Sequence, residues 1–137
     1  MNDDIMDVKE WIRYAQDDYD CAVTIAKTNN PYAPRIVCNH CQQSAEKILK
    51  AYMIVKEGTR IKTHDLGILS ERCKRYALDF DGLDTACSIL DMYIINSRYP
   101  SGMKLTESDM NQALNQARKI LEFTESKLKD LGYEYVA

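Results

Sequence analysis

Two stretches of the chain concentrate residues that could do chemistry. The first is Asn96-Ser97-Arg98-Tyr99-Pro100. Pro100 cannot continue a helix and pushes Tyr99 away from helical dihedrals. Asn96 and Arg98 are therefore expected at a helix C-terminus. There Arg98 can grip a phosphate bidentately, and Tyr99 can stack on a base. The same arginine also suits the negative end of the helix dipole, or an ion pair with an acid of the first helix such as Asp18. The second stretch is Gln42-Gln43, inside an otherwise apolar helical segment. One of these amides must face a buried or interfacial environment, and unsatisfied there it costs about 1–3 kcal/mol. Either it makes a structural hydrogen bond or it lines a groove with Arg98. His64 adds a third polar candidate at a helix start, exposed or bonding backbone.

Other constellations point to packing. Cys38-Asn39-His40-Cys41 is a C-x2-C with an enclosed histidine, but a zinc site needs two further ligands and no second pair exists. In a helix, positions 38 and 41 share a face and simply pack. His64-Asp65 resembles the His-Asp step of metal phosphohydrolases, which need more histidines than the two present, His40 and His64. No metal and no cofactor are expected. Ser44 and Ser97 have no Ser/His/Asp context. No glycine-rich phosphate loop is present.

Five helical segments must position these residues. Val8, Trp11, Ile12, Ala15, Tyr19 and Ala22 recur at helical spacing between about Asp4 and Lys27. A second helix, about Pro34 to Glu57, carries apolar residues on more than one stripe, ends at Gly58 in the place of a left-handed cap, and is expected to be central. A short third helix, about His64 to Tyr76, is capped by Thr63 or Asp65 and buries Leu66, Leu69, Cys73 and Tyr76. A turn at 79–82 leads to a fourth helix, Leu83 to Ser97, whose stripe is broadened by Ile89, Met92 and Tyr93. The fifth, about Glu107 to Gly132, opens with Thr106 and Asp109 as a capping box and buries a stripe ending at Leu131. No segment has a sustained period of two. The fold class is all-α: an up-and-down helical bundle of about five helices, one domain over residues 1–137 with its core at about 5–131.

Bulk properties agree. The chain has 137 residues, 45% hydrophobic and 28% charged, an ordinary soluble balance. No apolar run approaches a membrane span, and no apolar stretch follows the acidic start to make a secretory signal. Five cysteines without a regular framework read as reduced thiols in a cytoplasmic protein. The net charge of −3 is asymmetric: Glu46 to Arg75 holds eight Lys or Arg against four acids, leaving −7 for the remainder. This window is either an anion-facing side or a solvated face. The apolar excess of the second helix predicts a homodimer.

The residues also resemble the HEPN domain family. The carriers are Trp11, Ala15 and Tyr19; Cys41-Gln42-Gln43-Ser44-Ala45-Glu46-Lys47-Ile48-Leu49-Lys50-Ala51-Tyr52; His64-Asp65-Leu66; and Arg98-Tyr99-Pro100. They span about residues 5 to 128. The resemblance implies a small, usually dimeric bundle with a four-helix core like that of nucleotidyltransferase substrate-binding subunits. It implies two activities. Many prokaryotic members look like partners of a minimal nucleotidyltransferase in toxin–antitoxin or defence systems. Others are metal-independent RNases with an Arg followed, after four to six residues, by a His. No His follows Arg98, so the proton shuttle of that chemistry is missing and no catalytic residue is assigned. The expected protein is a binding module for nucleotide or RNA, with Asn96, Arg98, Tyr99, Gln42, Gln43 and His64 as candidate ligand contacts. The alternatives are a divergent RNase using His64 or Tyr99, and a purely structural dimerisation subunit.

Overall fold

The computed structural model describes residues 7–98, 100 and 104–136, with Ser97 and Arg98 as helical backbone alone. Five α-helices follow in order: α1 (Val8–Ala26), α2 (Ala33–Glu57), α3 (Leu66–Lys74), α4 (Asp84–Arg98) and α5 (Glu107–Asp130). A 3-10 helix, Leu78–Leu83, precedes α4. No strand occurs among the described residues.

Helix α2 is the centre. It packs most extensively on α1 and α5, and also on α4 and α3. Fourteen of its residues are buried, including Val37, Cys38, Cys41, Ala45, Ile48, Leu49, Tyr52 and Met53. Its two apolar stripes are thus covered within one chain, so they do not themselves call for a second subunit. Small residues bring α1 close: the buried Ser44 hydroxyl donates to the Ala15 carbonyl at 2.7 Å. Gly58 stops α2 in the left-handed conformation (φ 73°), with its N–H on the Ile54 carbonyl at 2.8 Å. That backbone costs glycine nothing and a Cβ-bearing residue about 1–2 kcal/mol.

The remaining caps follow the sequence closely. Asp65, not Thr63, caps α3, accepting from the Ile68 N–H at 3.0 Å, while Thr63 Oγ1 accepts from the Asp65 N–H at 3.1 Å. Thr106 and Asp109 form a complete reciprocal box at α5. The turn expected at 79–82 is a 3-10 helix instead, because Phe80 drives into the core between Tyr52 and Phe123, with ring centroids 4.7 and 5.0 Å away.

Three expected core positions lie outside it. Tyr76 is exposed because α3 ends at Lys74 and its hydroxyl turns to the Glu57 carboxylate at 2.7 Å. Leu131 follows the end of α5 and is exposed. Met92 is 53% exposed on the outer side of α4, alongside Ile95 at 63%.

Candidate functional site

A polar stripe runs along α2 at helical spacing: Asn39, Gln42, Gln43, Glu46, Lys47 and Lys50. It borders the core rather than leaving it: positions 38, 41, 45, 48 and 49 take the buried face, and Gln42 and Lys50 are buried beside them. The segment 59–65, released by the Gly58 cap, crosses this stripe and delivers His64. Asn39, Gln42, Gln43, Glu46, Lys47 and His64 together line a cleft of about 260 Å³.

Glu46 organises the cleft. Its carboxylate receives His64 Nδ1 at 2.9 Å, Lys50 Nζ at 3.0 Å and Gln42 Nε2 at 3.3 Å. The Glu46 and Lys50 side chains are only 13% and 5% exposed. Burial by itself would raise the Glu46 carboxyl. The hydrogen bonds from His64, Lys50 and Gln42, with the Lys50 charge, outweigh it and hold the group below the usual glutamate range. Gln42 is the buried amide of its pair, and its Nε2 also donates to the His64 carbonyl at 3.0 Å. Gln43 is half-buried and lines the cleft. With Nδ1 held by Glu46, His64 keeps Nε2 for a ligand on a side chain that is 71% exposed. The cleft therefore offers amide groups beside one imidazole.

Lys47 joins this cleft to a second cavity of about 420 Å³, lined by Asp7, Glu10, Trp11, Tyr14, Lys47 and Arg60. Arg13 and Lys47 lie 5.2 and 5.9 Å from the Tyr14 ring centre. Lys47 is also bound to Asp18 at 2.5 Å. Asp18 thus pairs with a lysine of α2.

Asp91 of α4 fixes the far side. Its two oxygens accept from the Leu66 and Gly67 N–H groups, each at 3.1 Å, beside the Asp65 cap. Burial raises the Asp91 carboxyl and the neighbouring Asp65 charge adds to this, against the two backbone bonds. Helix α4 consequently crosses the chain two residues after His64. Asn96, half-buried, lies about 7.5 Å further along the α4 axis. The Arg98 side chain and Tyr99 fall outside the described residues. Of the six candidates, the structure brings Gln42, Gln43 and His64 into one cleft and leaves Asn96 on a neighbouring helix.

Half of the eight basic residues of the window are ion-paired, two of them with acids outside it, Asp18 and Asp84. Lys47 is bonded to Asp18, Lys50 to Glu46, Arg72 to Glu57, and Lys74 to Glu71 and Asp84. Arg60 and Lys62 make no ion pair among the described residues. No group of three or more His, Cys, Asp or Glu is assembled for a metal among the described residues. Cys38 and Cys41 are buried in the core. Burial pushes the Cys38 thiol up to about 12 and raises Cys41 as well. No helix of the described residues is long and apolar enough to cross a membrane.

The sequence model of the HEPN domain matches residues 8–127. The chain belongs to the HEPN domain family. The bundle is similar to the crystal structure of TT1696 from Thermus thermophilus, at 26% identity and a TM-score of 0.73, covering 93% of this chain and 100% of that one. It also shares its fold with ST0689, an archaeal HEPN homologue, at 22% identity and a TM-score of 0.66, over 88% of this chain and 97% of that one. No curated protein matches the chain.

Sequence reasoning missed Glu46 as part of the cleft, and Lys50 and Asp91 as its supports. Glu46 and Lys50 were legible as a charged i,i+4 pair between buried Ala45, Ile48, Leu49 and Ala51. Asp91 carries no local signal, since its partners are 24 and 25 residues away.

Proposed function

We propose that this HEPN protein is a binding module for a nucleotide or an RNA segment, working as a homodimer beside a minimal nucleotidyltransferase of a toxin–antitoxin or defence type. The observation that carries the ligand reading is the pair of cavities joined by Lys47. One supplies Gln42-ordered polar groups and His64; the other supplies Trp11, Tyr14 and Arg60. Aromatic faces next to cationic side chains suit a base and its phosphate. Asn96, Arg98 and Tyr99 stay candidate contacts on the strength of the sequence alone. The nucleotidyltransferase partner rests on the family resemblance. The dimer rests on the usual habit of the family and on the exposed Met92 and Ile95.

Calorimetry with ATP, GTP and short RNAs tests the ligand. Wild type is expected to bind at least one of them, and Lys47→Ala or Arg98→Ala to weaken it by about tenfold, a loss of about 1.4 kcal/mol. Flat titrations with all three ligands would remove the reading. Co-purification with the product of a neighbouring nucleotidyltransferase gene tests the partner.

The Glu46–His64 pair favours one second reading, a divergent RNase in which His64 Nε2 takes the 2′-hydroxyl proton. RNA cleavage that survives EDTA and disappears in both His64→Ala and Arg98→Ala would promote it above simple binding.

A further inference from the structure

Next to Lys47, through its partner Asp18, stands a second polar constellation outside the lining of the cleft. Cys21 on α1 is exposed, and its Sγ lies 3.9 Å from Nε2 of His40 on α2. The other imidazole nitrogen, Nδ1, is buried without a hydrogen-bond partner and faces Asp18 Oδ1 at 3.9 Å. The second oxygen of Asp18 is held by Lys47 at 2.5 Å. The order carboxylate, imidazole, thiol is thus built from one turn of α1 and one residue of α2. Asp18 and Cys21 share a face of α1 at i,i+3 spacing, and His40 is turned toward them because Cys38 and Cys41 occupy the core side of its turn.

We propose that Cys21 is a site of reversible thiol–disulfide exchange with small aliphatic disulfides of the glutathione type, with His40 as its base and Asp18 as a positioning residue. The Cys21 proton passes to His40 Nε2, and the sulfur attacks one sulfur of the disulfide. The S–S bond of the reagent breaks as the Cys21 mixed disulfide forms. The departing thiolate takes the proton back from His40 and leaves as a free thiol. The acceptor role of Nε2 requires the proton on Nδ1, the nitrogen that faces Asp18. The other four cysteines are buried and cannot meet the reagent. Burial also raises their thiols, Cys38 and Cys87 to about 12.

The test uses the intact native chain and oxidised glutathione, read by whole-protein mass and peptide mapping. One adduct is expected, on Cys21, reversed by excess thiol and absent from Cys21→Ser. His40→Gln is expected to slow its formation by about tenfold at an unchanged melting temperature, and Asp18→Asn, which also breaks the pair with Lys47, by less. An equal rate in His40→Gln, adducts on the buried cysteines, or no adduct would each overturn the proposal. As a check free of substitutions, native Cys21 should react about tenfold faster than the same chain unfolded in urea, where His40 no longer faces it. A native rate equal to or below the unfolded rate also overturns it, by reducing Cys21 to an exposed thiol.

Discussion

Removing the Glu46 carboxylate leaves the Lys50 ammonium almost fully enclosed with no opposite charge. Glu46→Ala should therefore cost about 3–5 kcal/mol, read by urea denaturation at neutral pH. Glu46→Gln isolates the charge from the packing. Because the folded chain holds this carboxyl below its unfolded value, its contribution is complete above the unfolded value and is lost as pH falls through the folded one. The stability gap between wild type and Glu46→Gln should be widest at about pH 7 and close toward about pH 3. A gap that does not narrow on acidification would show that Glu46 matters for shape alone. Asp91 is argued from its geometry. Asp91→Ala orphans the Leu66 and Gly67 N–H groups and should cost about 1–3 kcal/mol. His64→Ala should cost far less than either, since that side chain is 71% exposed, while still weakening any ligand held in the cleft.

Helix ends account for most of the agreement between sequence and structure. Gly58 and the Thr106/Asp109 box act locally, so residue type and spacing suffice to find them. Gly58→Ala must pay the left-handed penalty of about 1–2 kcal/mol, and Thr106→Ala about 1 kcal/mol; thermal melts of the two variants check both. The segments α2 and α5 were legible to within a residue or two because their apolar period is long and their stops are chemical. The site was less legible. Which of Gln42 and Gln43 is buried depends on the rotation of α2 against the 59–65 segment, a tertiary quantity. The role of Asp91 depends on how α4 crosses the start of α3. The pairing of Asp18 with Lys47 depends on the α1–α2 register. Whether the 46–75 window is an anion-facing side or a solvated face stays open in the sequence for the same reason: two of the acids that pair with its lysines, Asp18 and Asp84, lie outside it.

At the scale of the molecule, α2 holds the bundle together and its neighbours close around it. Association between copies, if it follows the proposed dimer, must therefore use other surface. Light scattering of wild type and of a Met92→Lys/Ile95→Lys double variant tests this. The expected result is a dimer for wild type and a chain of about half that mass for the variant, each with the same helical circular dichroism. A wild-type monomer would remove the dimer from the proposed function without touching the cleft.

The thinness of the attachment between residues 59–65 and α2 has a dynamic consequence. That segment has no helical hydrogen bonds of its own, and Gln42 and Glu46 tie it down at His64. Amide hydrogens in the middle of α2 should exchange with deuterium only when the whole bundle opens, whereas those of 59–64 should exchange through a small local opening. A ligand seated against His64 would slow the second class and leave the first unchanged. Deuterium uptake by mass spectrometry would thus register occupancy of the cleft even for a ligand too weak to give heat.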